Sequence, residues 1–352
     1  MPKKSALSGK ALSVLGPVDP ATLGPTQTHE HLVISLENYF VMPEEASLRG
    51  LLDAPVTMEN RARIVGMWQH NRRVGNLLDV QAAIEEAMHF KLAGGGTIVD
   101  ATSIGIGRDP LALARISRAT GLNVIMGGSY YTPTAHPPDM DQRSEDSLAE
   151  GIIRDITVGV GDTGVRSGII GEVGCIHPLT KNLHKVLRAS ARAHIETGAP
   201  ILIHPGHDQR APIEILEVLA EAGADKRGVI MGHLEHRIWD LGILRELAQA
   251  GSLLEFDVFG LEDTSYGVHL KRGVPSDVQR MEMVEFLVRE GHGGQIVFAQ
   301  DHCQLWQWVR YGGKGYGHIL ENIVPRLRKR GLTEAELHAI LVDNPRRVLT
   351  FR

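Results

Sequence analysis

Cysteine is scarce in this chain: Cys175 and Cys303 are the only two in 352 residues. Two thiols cannot build a disulfide framework, which fits a reducing compartment, and both are expected as buried packing groups. Long apolar runs are also missing. No stretch approaches the ~18 residues of a membrane helix. The opening "MPKKSALSGKALSVLG" starts basic, but Lys10 and two glycines interrupt its apolar part, so it lacks a secretory core. A cytoplasmic protein is expected. There is no excess of positive charge: the net charge is −5, which argues against a general affinity for nucleic acid or for an anionic membrane. Low-complexity linkers and short repeats are absent. With 43% hydrophobic and 22% charged residues, the composition is that of an ordinary globular protein, read as one domain over residues 1–352.

Histidine, by contrast, is plentiful, with seventeen residues. Two of them stand in "TQTHEHLVIS". In a strand, residues i and i+2 share a face, so His29 and His31 aim together and Glu30 points the other way. Two imidazoles on one face can chelate a metal ion.

Short apolar runs bounded by Gly, Pro or Asp recur along the chain. They are the segment before His29, "TIVDAT", "LNVIMGG", "SGIIGEVG", "PILIHPG", "GVIMGH", "SLLEFDVFG" and "QIVFAQD", as expected of buried parallel strands. Amphipathic stretches such as "DVQAAIEEAMHFKLAGG", "PLALARISRATG" and "KVLRASARAHIETG" separate them and end at glycine. Eight strands alternating with helices predict an α/β fold, a (β/α)8 TIM barrel; a doubly wound open sheet is the structural alternative. Residues 36–80 interrupt the alternation and are expected to lie over the barrel mouth. "TEAELHAILVDNPRRVL" reads as a final helix capped by Thr333.

Barrel enzymes build their sites at the C-terminal ends of strands. Those ends carry His29 and His31 on strand one, Glu172 on strand four, His204 on strand five, His233 on strand six and Asp301 on strand eight. A catalytic zinc takes three protein ligands, so six ligands predict two divalent ions sharing a bridge. His29, His31 and Asp301 would hold one, His204 and His233 the other, with Glu172 between. Zinc suits these donors best, and manganese, iron, cobalt and nickel are also admitted. Such a pair lowers the pKa of a shared water toward ~7, and the resulting bridging hydroxide can attack a carbonyl or phosphoryl centre. Asp301 is placed to accept its proton and pass it on.

The segments "TQTHEHL", "GGGTIVDAT", "IGRDP", "GIIGEVG", "ILIHPG", "IMGH", "FDVFG", "FAQD" and "GYGHILENIVPRLRKRGLTEAELHAILVDNP" together resemble the phosphotriesterase family of the amidohydrolase superfamily. The resemblance covers nearly the whole chain. It implies the barrel, two divalent metals (usually zinc), hydrolysis of esters, lactones or phosphotriesters, and a homodimer. Two departures matter. Glu172 stands where the family's phosphotriester hydrolases carry a carboxylated lysine, which resembles a subgroup with a glutamate bridge. Val258, after Asp257, stands where family lactonases and phosphotriester hydrolases have Arg or His. The expectation is therefore a hydrolase of a small ester or lactone, with weak phosphotriester turnover. The alternatives are an N-acyl amide hydrolase and a small-ligand-binding protein that kept the metal site.

Tyr130, Tyr131, His207, Arg237, Asp257 and Trp306 are the expected substrate contacts. Trp308 is a second candidate for the pocket wall. Arg210, Arg310, Lys314, Lys271 and Arg272 also fall on predicted mouth loops. This concentration of cations predicts an anionic substrate, a carboxylated or phosphorylated ester or lactone; a solvated charged rim is the alternative.

Overall fold

The computed structural model describes residues 7–262 and 273–352. Eight parallel strands surround one axis: β1 (Thr26–Glu30), β2 (Thr97–Asp100), β3 (Asn123–Met126), β4 (Ile170–Gly174), β5 (Ile201–His204), β6 (Val229–Met231), β7 (Leu253–Phe256) and β8 (Ile296–Phe298). They pair as a three-stranded arc, β1-β2-β3, and a five-stranded arc, β4 to β8. Two contacts close the ring. Gly128 and Gly171 exchange backbone hydrogen bonds between the β3 and β4 ends, and Asp301 N–H donates to the His29 carbonyl (3.1 Å) between the β8 and β1 ends. The chain is thus a (β/α)8 barrel.

Helices follow from local signals. α1 (Val80–Leu92) is capped by Asp79, whose carboxylate accepts from the N–H groups of Gln81 and Ala82. α2 (Pro110–Thr120) starts with Asp109 and a first-turn proline and stops at Gly121, in the left-handed region, as helix-end chemistry favours. α3 (Glu145–Thr157) and α4 (Lys181–Thr197) are capped by Ser144 and Thr180. α5 (Ala211–Glu221), α6 (Leu241–Ala250) and α7 (Asp277–Arg289) complete the ring, the last with a Ser276–Gln279 capping box. Thr333 does cap the closing helix, through a second such box with Glu336. That helix is not uniform: Ala339–Asp343 widens to a π-turn just before Pro345, a residue with no N–H to continue the regular ladder.

Side-chain alternation sorts the barrel interior into layers. Val99, Ile125, Leu202, Ile230, Leu253 and Val297 form an apolar plug at the N-terminal end, sealed by Val348 and Leu349. Each fully buried side chain of this size contributes about 1.5–3 kcal/mol. Two residues further along β7 the same inward face turns polar at Glu255, and two further at Asp257. The expected segments omit one element: Ala11–Ser13 and Gly16–Val18 form a hairpin beneath the barrel. Gly168 lets it approach, because a Cβ there would lie 2.0 Å from the Leu12 carbonyl.

Residues 36–80 form turns, three 3-10 helices, one short α-helix, Arg61–Gly66, and a two-residue strand, Asn76–Leu77, paired antiparallel with Ile34–Ser35. Asn71 is their internal tie. It donates to the carbonyls of Leu51 and Ala54 and accepts from the N–H groups of Arg73 and Val74. The segment packs Val56, Ile64, Val65 and Val74 against Trp306, Val258 and Leu261. Leu36, Tyr39, Trp68 and Gln69 from it line the cavity at the barrel mouth.

Candidate metal centre and active site

Glu172 is the centre of the polar layer. Its Oε2 lies 2.9 Å from His204 Nδ1, 3.2 Å from His29 Nε2 and 3.6 Å from His233 Nε2, and its Oε1 lies 3.4 Å from His31 Nε2. Asp301 Oδ1 is 3.2 Å from His31 Nε2 and 3.9 Å from His29 Nε2. The six side chains singled out in the sequence therefore meet at one place. They fall into two groups with ligand atoms within 4.8 Å of one another: His29, His31 and Asp301, and Glu172, His204 and His233.

The donor set fits cations. His204 Nδ1 and His233 Nε2 stand 2.7 Å apart and both face the same carboxylate oxygen. His29 Nε2 is buried, and apart from its 3.2 Å approach to Glu172 it has no aligned hydrogen-bond partner among the described residues. A divalent ion would satisfy such converging lone pairs; an isolated proton leaves one of them unpaired.

The opposite ring nitrogens are fixed from behind. Thr102 Oγ1 donates to the Val33 carbonyl and so accepts from His31 Nδ1–H at 2.9 Å. Glu255 and Asp257 both approach His29 Nδ1, at 3.0 and 3.2 Å. Asp257 also accepts from His233 Nδ1 (2.9 Å) and from the His233 backbone N–H (2.8 Å). These contacts aim the Nε2 atoms of His29, His31 and His233 inward, an arrangement typical of metal-ligating imidazoles.

Backbone strain serves the same end. His233 and Asp301 have φ of 58° and 47°, conformations that cost free energy outside glycine and persist only when the surroundings impose them. At Asp301 the cause is visible. Glu30, on the far face of β1, accepts from the N–H groups of Gln300 (2.6 Å) and His302 (3.0 Å), clamping the residues on either side.

Without bound cations the cluster is electrostatically tense. Burial would depress the pKa of His31 and of His233. Asp301 and Glu172 instead hold His31 at about 9, and Asp257 and Glu172 hold His233 at about 10. Burial, then the charge of His233, takes His204 down to about 4. Burial tends to raise Glu172, but His29, His204 and His233 bring it well below the ordinary carboxylate value.

Above this floor opens a cavity of about 270 Å³. Among the expected substrate contacts, Tyr131, His207 and Arg237 line it. The Tyr131 hydroxyl lies 3.3 Å from His204 Nδ1. Burial, then Glu172, pushes the Tyr131 pKa well up, so the phenol stays a donor. Three expectations are corrected. Asp257 is fully buried behind His29 and His233, its oxygens committed to their N–H groups. Tyr130 packs in the helix-side core and receives a hydrogen bond from Arg143 (3.3 Å). Trp306 anchors residues 36–80, and its Nε1 donates to Gln304 Oε1. Trp308 is likewise structural: its Nε1 donates to the Tyr316 hydroxyl (3.2 Å), which donates to the His31 carbonyl (2.8 Å).

The rim cations divide the same way. Arg210 pairs with Glu246 (2.8 Å) and Arg310 with Glu85 (3.8 Å), both exposed and outside the cavity lining. Lys314 lies against Gly260, also outside that lining. Lys271 and Arg272 lie outside the described residues. Sequence reasoning missed Thr102, Glu255, Tyr39 and His236. Glu255 left a trace, an acidic residue two before Asp257 inside an apolar strand; Tyr39 left none.

Fold and site together define a barrel hydrolase of the metal-dependent class. The chain belongs to the phosphotriesterase family: a profile described as "Phosphotriesterase family" matches residues 9–349. It is similar to the N-acetyltaurine hydrolase of Salmo salar, 40% identical over 349 residues, covering 99% of this chain and 100% of the relative. The N-acetyltaurine hydrolase of Danio rerio is 39% identical with the same coverage. Among solved structures, a resiniferatoxin-binding protein from Rhodobacter sphaeroides superposes with a TM-score of 0.95 at 34% identity, covering 99% of this chain and 98% of that one. No described helix is long and apolar enough to cross a membrane.

Proposed function

We propose that this protein hydrolyses the amide bond of small N-acyl compounds, using a pair of divalent ions, zinc by donor chemistry. The observation that carries the reading is the convergence of His29, His31, His204, His233 and Asp301 around Glu172. The bond is suggested by relatives about 40% identical over their whole length that are named for an amide substrate. That support favours the amide alternative over the ester or lactone first expected. Val258 is consistent with this choice, because it leaves an apolar wall where lactone and phosphotriester hydrolases of the family place a polar group.

His29, His31 and Asp301 would hold one ion and His204 and His233 the other, with Glu172 between them. A bound pair supplies an ionised water at neutral pH and polarises the acyl carbonyl. The chain does the rest. The Tyr131 hydroxyl lines the cavity 3.3 Å from His204 Nδ1 and can donate to the oxygen that gains charge as the tetrahedral centre forms. The Asp301 carboxylate, 19% exposed, is the one ligand of the six that combines a free oxygen with access to the cavity. It accepts the proton released at attack and delivers it to the leaving nitrogen. An amide requires that delivery, because an unprotonated amide anion is a very poor leaving group.

The test is a matched panel of N-acetyltaurine, other N-acyl amides, lactones and carboxylic esters. It is assayed with enzyme reconstituted in zinc, manganese or cobalt, following free amine. Faster turnover of amides than of matched esters supports the reading. Rapid lactone hydrolysis with no amine released would return it to the ester class.

A further inference from the structure

The two walls of the cavity differ in chemistry. Ile34, Leu36, Tyr39 and Trp68 supply one, from the end of β1 and the segment after it. His207 and Arg237 supply the other, from the loops after β5 and β6. In an eight-stranded ring strands one and five are diametrically opposed, so the apolar wall and the basic wall face each other across the Glu172–Asp301 floor.

Arg237 is 5% exposed and lines the cavity. Its guanidinium brings a permanent positive charge to the cavity wall, with five N–H donors in a planar fork, enough for more than one partner. Its Nη1 donates to His207 Nδ1, which fixes the plane of the guanidinium. The two loops are locked together at their base: Gln209 Oε1 accepts from the N–H groups of Trp239 (2.8 Å) and Asp240 (2.9 Å).

We propose that Arg237, oriented by His207, is the specificity residue that seats a compact oxyanion on the amine half of the substrate, while the acyl group lies against the Ile34–Trp68 wall. The substrate class is thus short-chain N-acyl derivatives of small amino acids whose acid is a sulfonate or a carboxylate. The proposal rests on the amide reading above and adds to it the direction of the substrate and the residue that selects it. A planar guanidinium matches two oxygens of either acid through paired N–H donors. A neutral sulfone of the same shape keeps two acceptor oxygens but lacks the negative charge that strengthens those hydrogen bonds.

The test compares N-acetyltaurine and N-acetyl-β-alanine with a neutral sulfone, N-acetyl-2-(methylsulfonyl)ethylamine, on metal-reconstituted enzyme. The wild type should prefer the anions by on the order of 10²-fold or more in kcat/KM. Arg237→Gln should remove that preference, chiefly through KM, and leave turnover of the sulfone within about threefold; Arg237→Lys should restore part of it. The ratio between the two acids tells sulfonate from carboxylate. Independently of any variant, ethanesulfonate should inhibit the wild type competitively and ethyl methyl sulfone should not. Equal turnover of anions and sulfone by the wild type, equal slowing of both by Arg237→Gln, or equal inhibition by both small probes overturns the proposal and leaves the amide reading standing. A wild type that cleaves none of the three amides, yet cleaves esters, overturns both.

Discussion

Asp257 offers a sharp test of how the metal centre is organised, because one buried carboxylate backs a ligand in each half. Its Oδ1 accepts from His233 Nδ1, and its Oδ2 accepts from the His233 backbone N–H and approaches His29 Nδ1 at 3.2 Å. Asp257→Asn keeps the shape but offers one carbonyl oxygen to donors that occupied two. At least one buried N–H then faces an NH2 group and loses its partner, at a cost of about 1–3 kcal/mol. Losing the carboxylate behind a metal-ligating imidazole typically lowers metal affinity 10–100-fold, or about 1.4–2.7 kcal/mol. The two halves should not suffer equally. His29 keeps Glu255 at 3.0 Å, whereas Asp257 is the carboxylate behind His233 Nδ1. The ion held by His204 and His233 should therefore weaken by the full 10–100-fold, and the ion held by His29, His31 and Asp301 by less. Competition against a graded chelator series, with metal counting at each step, resolves the two affinities. Unchanged affinity at both positions, or earlier loss of the His29 ion, would refute the reasoning.

Asp301→Asn should retain most of the bound metal while lowering kcat about 10²- to 10⁴-fold; near-normal turnover in that variant removes Asp301 from proton transfer. Metal uptake should be proton-linked, because His31 and His233 sit at about 9 and 10 in the metal-free protein and must be deprotonated to coordinate. Apparent affinity should then rise with pH up to about 10, with proton release visible as buffer-dependent binding heats. The same shifts have a sign for stability. Both folded values exceed the unfolded ~6.5, so their contribution to the metal-free fold is complete below ~6.5 and is lost as pH climbs through 9 to 10. The melting temperature of metal-free protein should fall across that window, and a flat profile contradicts the assignment. Gly171→Ala places a Cβ 2.2 Å from the Leu202 carbonyl at φ +124°; a loss of about 2–4 kcal/mol is expected in denaturant unfolding, with reduced metal content because Glu172 follows directly. Tyr39→Phe removes the hydrogen bond to Thr132 Oγ1, worth about 0.5–1.5 kcal/mol, and should raise KM several-fold with kcat nearly intact; a collapse of kcat instead would make Tyr39 part of the chemistry.

The barrel and its metal cluster were legible for a local reason. Strands buried on both faces read as short apolar runs, and a polar residue closing such a run has no packing role there. His29, His31, Glu172, His204, His233 and Asp301 each break a run at its end, so strand periodicity alone places them at one mouth. Glu30 was legible in part, since parity sends it to the far face, but its clamp on Gln300 and His302 depends on how β8 docks beside β1.

Substrate contacts were not legible in the same way. Tyr130 and Tyr131 are identical in type and adjacent, and only the turn around Ser129 decides that Tyr131 enters the cavity while Tyr130 joins the helix-side core. Trp306 and Trp308 carry a large apolar surface that either a pocket or a loop anchor would use; packing against Val56, Ile64 and Tyr316 settled it. Asp257 lies at a strand end like the metal ligands, yet it stands behind two of them, a distinction of a few ångströms in depth. What the amino-acid order determined was everything set by near neighbours: helix caps, strand parity, and the polar residue at the end of each strand. What the tertiary structure alone decided was which distant side chains share a partner, because burial and hydrogen bonding are properties of the closed ring.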